Sequence, residues 1–147
     1  MFDLKFMQLA IDIAQKSKND LPIGAIIVKD GQVIAKAHNE KELKNCATKH
    51  AEIIVIEEAS RKLETWRLSE CDLYVTLEPC PMCTWAIIQS RFKNVYFGSY
   101  DTLYGALGSR IDLRTLLNSR TKVTGGIMEK ECNDIIKSYF EELRKND

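Results

Sequence analysis

Two short segments of the chain carry side chains that can bind a metal ion and move a proton. His50 and Glu52 stand in one segment, and Cys80 and Cys83 stand in Pro79-Cys80-Pro81-Met82-Cys83. One imidazole and two thiolates are typical zinc ligands, and the two-residue gap lets both cysteines reach one ion. No fourth protein ligand is evident, and an open position is typical of catalytic zinc. The chemistry expected is attack by an activated water, with Glu52 taking up its proton and returning it.

The remaining histidine and cysteines fit no comparable pattern. The spacing of His38 matches no metal motif, and the cysteines outside the pair are Cys46, Cys71 and Cys132. An odd number of cysteines in a chain of this size does not favour a disulfide framework, so we expect these three to be packing residues. A Cys-x-x-Cys pair alone also suits a redox or structural-metal site, and the preceding His-x-Glu is what favours catalytic zinc.

The surrounding sequence predicts the elements that must position these residues. Apolar residues at helical spacing predict helices over about 2–17 and 50–62, another starting at Pro79 and Pro81, and two more over 113–117 and 127–143. Strands are expected at 25–28, 32–37, 73–77, 95–97 and 122–124, with a tight turn at Asp30-Gly31. Trp85, Ile87 and Ile88 are expected to pack the third helix inward, or else to contribute to an interface with a second copy of the chain.

This order of elements predicts one α/β domain over residues 1–147. A hairpin followed by β-α-β units gives a mixed five-stranded sheet covered by helices on both faces, which makes three layers. His50 and the two cysteines then stand at helix starts, where free N–H groups stabilise thiolate charge. The N-termini of the two helices converge if the helices lie side by side.

Composition places the chain among globular proteins and excludes several other classes. Hydrophobic residues make up 45% and charged residues 29% of 147 residues, and the 21 basic residues balance the 21 acidic ones. We find no apolar run of the ~18 residues that a membrane span needs and no secretory signal, so we expect a cytoplasmic protein without membrane contact. Zero net charge does not favour nucleic-acid binding, although a local basic patch can supply it.

Taken together, the His-x-Glu and Pro-Cys-x-x-Cys segments form a zinc-deaminase signature. Beyond them, the chain resembles bacterial tRNA-specific adenosine deaminases over about residues 3–143. The matching stretches are Pro22–Ala25, His50–Ile53, Leu73–Cys80, Met82-Cys83, Ser90-Arg91, Phe97-Gly98, Asp101 and Gly105–Ser109. The resemblance implies a cytidine-deaminase-like fold, one Zn²⁺ per chain held by His50, Cys80 and Cys83, and a homodimer. It also implies conversion of adenosine to inosine at the wobble position of a tRNA anticodon loop.

The same resemblance implies four substrate contacts, each with a simpler alternative. Asn39 is expected to contact the target nucleoside through its amide, or else to cap a loop. The backbone N–H of Ala51 is expected to face the base. Ile23 packs against the base or belongs to the core, and Asp101 flanks the anticodon nucleotides or is a turn residue.

Some positions depart from the family pattern and leave other functions open. Tyr100 and Leu103 stand where the family commonly has basic residues, and the C-terminal end Glu141–Asp147 is shorter and more acidic than the basic tails typical of the family. Tyr100 and Tyr104 are suited to stacking on unpaired bases or are plain surface aromatics. One alternative is a deaminase of a free base or nucleoside, of guanine, cytosine or adenosine type. Another is a zinc-stabilised interaction module without catalysis, against which Glu52 argues.

Overall fold

Helices and strands alternate along most of the chain after an N-terminal helix and a hairpin. The computed structural model describes residues 1–146. The strands are β1 (Gly24–Lys29), β2 (Gln32–His38), β3 (Cys71–Leu77), β4 (Asn94–Ser99) and β5 (Lys122–Thr124). The helices are α1 (Leu4–Ala14), α2 (Ala51–Leu63), α3 (Pro81–Gln89), α4 (Leu113–Leu117) and α5 (Glu129–Lys145).

The five strands form one mixed sheet in the order β2-β1-β3-β4-β5. β1 pairs antiparallel with β2 and β3, whereas β3, β4 and β5 are parallel. The β1–β2 turn is made by Asp30 (φ 51°) and Gly31 (φ 74°), a conformation with positive φ that favours these residue types. The mixed five-stranded sheet expected from the sequence is therefore confirmed.

Alternate residues of β1, β3 and β4 enter two separate cores, because successive side chains point to opposite faces of a sheet. Ile27, Leu73, Val95 and their neighbours pack under α2 and α3, which contribute residues such as Val55 and Ile87. On the other face, Ile26, Tyr74 and Tyr96 pack with residues of α1 and α5, among them Met7 and Cys132. This is the three-layer α/β/α architecture of the prediction.

Several predicted boundaries shift in the structure for local reasons. α1 begins after Asp3, whose side chain accepts a hydrogen bond of 3.0 Å from the Lys5 N–H, and it ends at Ala14 rather than residue 17. The polar stretch Ser17–Asp20 that follows favours turns over a further helical turn. α5 begins at Glu129 rather than 127, because Met128 adopts a left-handed φ of 56°.

One predicted core residue of α3 is exposed. Ile87 and Ile88 are buried as expected, but Trp85 is 47% exposed. A nine-residue helix that packs on the sheet has room for only one inward face, and Ile87 and Ile88 occupy it. The expectation that Trp85 packs inward is therefore wrong.

The cysteines outside the pair are free thiols, as the odd count suggested, with Cys71 and Cys132 buried and Cys46 partly exposed.

Within residues 1–146, no helix combines the length and apolar character that crossing a membrane requires.

Candidate metal centre and catalytic pocket

The N-termini of α2 and α3 converge and bring the predicted metal ligands together. His50 is the N-cap residue of α2 and Cys80 is the N-cap residue of α3, and neither side chain caps its own helix. Their side chains are therefore free to face each other, and Cys83 joins them from the first turn of α3. The Sγ atoms of Cys80 and Cys83 lie 3.7 and 3.5 Å from His50 Nδ1. One nitrogen and two sulfur donors all lie within 4.8 Å of one another, which is close enough for one ion.

The electrostatics of this cluster favour charge on sulfur. The Cys83 thiol donates a hydrogen bond that, together with His50, lowers the pKa of Cys80 to about 4 despite partial burial. The pKa of Cys83 is raised, because its proton is held by Cys80 and because its surroundings are buried. The hydrogen bond with Cys80 raises the pKa of His50. The three groups thus compete for protons at close range, and a zinc ion bound by all three would replace the protons held by the thiols.

Glu52 lies beside this cluster on the first turn of α2. It is only 4% exposed, and burial raises the pKa of its carboxyl to about 7. Within residues 1–146, its Oε1 atom is buried without a hydrogen-bond partner. Burying an unpaired carboxylate oxygen is costly, so the arrangement fits a carboxylate that interacts with bound ligands. The soft donor set and the orphaned Glu52 oxygen both fit a zinc centre.

A pocket of about 430 Å³ opens onto the centre, and His50, Glu52 and Cys80 form its floor. Its volume lies within the range of small-molecule sites. Most of its walls come from loops that follow α1, β2 and β4, together with α5. The wall residues are Asn19, Asp20, Leu21, Ile23, Asn39, Lys41, Glu42, Leu77, Glu78, Asp101, Tyr104 and Tyr139.

Asn39 reaches the pocket but also supports the start of α2. It is 7% exposed, and its Oδ1 atom accepts a hydrogen bond of 2.8 Å from the N–H of Ala51. This leaves the side-chain NH2 group of Asn39 as the part available to a ligand. The expectation that the Ala51 N–H faces the base is not met, because that N–H is committed to Asn39 and Ala51 is fully buried.

The other two predicted contact residues also serve the fold. Ile23 lines the pocket but is 7% exposed and belongs to the core beneath α2. Asp101 lines the pocket too, while its Oδ1 accepts hydrogen bonds of 3.0 Å from the N–H groups of both Leu103 and Tyr104. Asp101 is thus a turn residue that shapes the pocket rim.

Glu78, for which the sequence motifs indicated no role, organises the loop after β4. Glu78 is 2% exposed, and its carboxylate accepts hydrogen bonds from the N–H groups of Asp101, Leu107 and Ser109 at 3.2, 3.0 and 3.1 Å. The Ser109 hydroxyl donates to it as well. The sequence feature that could have indicated this role is a carboxylate at the end of a strand, directly before Pro79-Cys80.

Comparisons with known proteins agree with this geometry. Residues 1–99 match the family model of the cytidine and deoxycytidylate deaminase zinc-binding region. A tRNA-specific adenosine deaminase of Bacillus subtilis is 43% identical over 147 residues, which cover 97% of this chain and 91% of that relative.

Two solved structures extend the comparison. A tRNA:A34 deaminase, studied for A-to-I editing at the wobble position of transfer RNA, has a TM-score of 0.83 and 38% identity. That match covers 90% of this chain and 99% of the other. A guanine deaminase of Bacillus subtilis is also 38% identical, with a TM-score of 0.66 over 69% of this chain and 67% of its own.

Proposed function

The chain belongs to the tRNA-specific adenosine deaminase family, whose members carry the zinc-binding region of the cytidine deaminases, and on that premise we propose its reaction. The chain hydrolyses adenosine to inosine at the wobble position of a tRNA anticodon loop. One observation carries this proposal: the donors of His50, Cys80 and Cys83 lie within 4.8 Å of one another beside the buried Glu52.

Zinc is the cofactor, and His50, Cys80 and Cys83 are the residues that would hold it. When bound at such a site, Zn²⁺ acts as a Lewis acid that makes water acidic near neutral pH. The helix starts that present Cys80 and Cys83 stabilise the negative sulfur atoms that bind it.

Glu52 moves the protons of the reaction. Hydrolysis adds water at the carbon that bears the amino group and releases ammonia. Glu52 takes one proton from the attacking water and delivers it to the neighbouring ring nitrogen. It then takes the second proton from the hydroxyl added to the carbon and passes it to the amino group, which leaves as ammonia while the carbonyl forms. A carboxyl whose pKa is raised to about 7 by burial both accepts and donates protons near neutral pH.

The pocket holds the target nucleoside above this centre. The Asn39 amide donates to an acceptor of the nucleoside, while its carbonyl oxygen stays bonded to Ala51. Ile23 supplies an apolar wall for the base, and Asp101 holds the turn that closes the pocket on the other side.

Aromatic side chains at the pocket rim suit an unpaired RNA strand. Tyr104 is 66% exposed on the rim and Tyr139 lines the pocket from α5. Aromatic faces stack on unpaired bases without requiring one sequence. A base in an anticodon loop is already unpaired, so placing it in the pocket costs less than extraction from a duplex. A tRNA substrate also agrees with the cytoplasmic location expected from the sequence.

A free base or nucleoside is the second candidate substrate. Zero net charge favours it, and so does the similarity to a guanine deaminase. That similarity covers a smaller share of each chain than the match to the tRNA:A34 deaminase. A non-catalytic zinc module has less support, since nothing in a purely structural site requires a buried, unpaired Glu52.

The chain acts as a homodimer through the outer face of the α2–α3 layer. Trp66, Trp85 and Leu117 are 54%, 47% and 40% exposed and line one groove of about 620 Å³. Large apolar side chains grouped on one surface are typical of protein interfaces. A second copy of the chain, packed through the same face, would cover both tryptophans.

A deamination assay on zinc-loaded protein tests the function. Separate reactions contain an anticodon stem-loop with adenine at the wobble position, free adenosine, free cytidine and free guanine. Inosine formed only in the stem-loop supports the proposal. Turnover of a free base or nucleoside with the RNA unchanged would reassign the substrate but keep the chemistry.

A further inference from the structure

A strongly basic pocket of about 380 Å³ lies where β4 and β5 begin. Arg91, Lys93, Arg120 and Lys122 line it, and no aspartate or glutamate does. All four cations are exposed, and none forms an ion pair with another residue of the described chain. In a chain whose net charge is zero, this grouping creates a local positive field suited to anions.

Hydrogen bonds hold together the two segments that carry the cations. The Lys122 N–H donates to the Lys93 carbonyl at 3.1 Å, and the Thr121 hydroxyl donates to the Phe92 carbonyl at 2.8 Å. These bonds join the strand start that carries Lys93 to the segment that carries Arg120 and Lys122. Neutral donors complete the lining, because Ser69 and Asn118 also face the pocket. The nearest acidic neighbour along the chain, Glu70, is paired with Lys29 at 3.5 Å.

The basic pocket and the catalytic pocket lie at opposite ends of the same parallel strands. The catalytic groups follow the end of β3, whereas Lys93 and Lys122 stand at the starts of β4 and β5. Six strand residues at about 3.3 Å each separate the two ends by about 20 Å. A single nucleoside cannot reach both pockets, so a molecule that occupies both must be larger, such as an RNA with a folded stem.

We propose that the basic pocket binds the phosphate backbone of the RNA whose target nucleoside occupies the catalytic pocket. This inference rests on the proposed function. Guanidinium and ammonium groups bind phosphate strongly, and such contacts position an RNA without reading its sequence. The pocket therefore supplies the electrostatic attraction that the neutral net charge of the chain does not.

The test compares Arg120→Ala/Lys122→Ala with Lys36→Ala/Lys137→Ala. Both double variants lose two exposed cations, but Lys36 and Lys137 line neither pocket. Arg91 is left intact because it also lines the apolar groove beside Trp85. Zinc-loaded proteins are titrated with a full anticodon stem-loop and with the loop alone as an unpaired oligonucleotide, at several salt concentrations. Inosine formation is measured with the same RNAs.

We expect the pocket variant to bind the stem-loop about ten-fold more weakly at low salt, with a salt slope smaller by roughly 1 to 2. Its kcat should equal that of the wild type, and its affinity for the unpaired loop should change little. Equal weakening in the control variant, or no weakening in the pocket variant, would overturn the assignment.

Two further outcomes separate this inference from the proposed function. If the wild type forms inosine in the stem-loop while both variants bind it equally, only the pocket assignment fails. If the wild type forms no inosine in any RNA, the proposed function fails.

A titration with inorganic phosphate is the final part of the test. Phosphate binding that disappears in the pocket variant, with unchanged RNA affinity, would reassign the pocket to a small phosphate ligand.

Discussion

Asn39 Oδ1 accepts a hydrogen bond of 2.8 Å from the backbone N–H of Ala51. This bond joins the end of β2 to the first residue of α2, between His50 and Glu52. A residue expected to contact substrate therefore also holds the helix start that carries the proposed zinc ligand His50 and the proposed proton-transferring carboxylate of Glu52.

Substitution at Asn39 separates these two roles. Asn39→Asp keeps an oxygen acceptor for Ala51 but removes the amide donor, so we expect near-native stability and a clear loss of kcat/KM. Asn39→Ala removes both and should also lower the free energy of unfolding by about 1 kcal/mol. Urea unfolding and deamination kinetics are measured on both variants. Equal activity of Asn39→Asp and wild type would show that the amide does not contact the substrate.

Glu52→Gln should retain zinc and lose activity. The amide has nearly the same shape but cannot shuttle protons, so kcat should fall by about 10²–10⁴-fold. Zinc content by metal analysis and inosine formation are the measurements. Glu57→Gln is the matched control, because Glu57 lies on the same helix but is exposed and paired with Lys49. Substantial turnover by Glu52→Gln would refute the proton-transfer role.

Cys83→Ser should lose zinc. The Cys83 sulfur is fully buried 3.5 Å from His50 Nδ1, and a hydroxyl oxygen is a poor substitute for a thiolate. We expect the purified variant to contain little zinc and to unfold at a lower temperature than the wild type. Cys46→Ser, which changes a partly exposed thiol, should keep its zinc. A full metal complement in Cys83→Ser would contradict the ligand assignment.

Glu78→Gln should destabilise the loop after β4. Both carboxylate oxygens of Glu78 accept hydrogen bonds, so the amide nitrogen of glutamine must face a donor in either orientation. We expect a loss of about 3 kcal/mol in the free energy of unfolding, measured in urea. Glu70→Gln, at an exposed site, should change it by less than about 1 kcal/mol. An unchanged midpoint for Glu78→Gln would mean that the loop does not depend on this carboxylate.

Trp85→Glu should prevent formation of the proposed homodimer and leave a monomer. A charge placed in the apolar groove would be buried without a partner in the proposed interface. Leu143→Glu is the control, because Leu143 is similarly exposed at 45% but lies on α5, on the opposite face of the sheet. Sedimentation velocity gives the oligomeric state of each variant. A monomeric wild type, or a dimeric Trp85→Glu, would exclude this face as the interface.

The sequence by itself determined the order of the elements and the groups that do chemistry. Apolar periodicity gave every helix and strand to within a few residues, because the residues facing each core recur at the period of their element. The spacing of His50, Glu52, Cys80 and Cys83 indicated zinc and proton transfer, since few residue types can serve as soft ligands beside a carboxylate. The net charge of zero did not locate a basic patch, and only the fold brings Arg120 and Lys122 together with Arg91 and Lys93.

The tertiary structure alone decided which side chains meet across long sequence separations. The sequence suggested that the backbone N–H of Ala51 faces the base of the substrate. Only the fold showed that this N–H donates a hydrogen bond to Asn39. Glu78 finds its four donors 23 to 31 residues further on, and no local pattern encodes such contacts. Trp85 was misplaced because helical periodicity defines faces but does not say which of them the sheet covers.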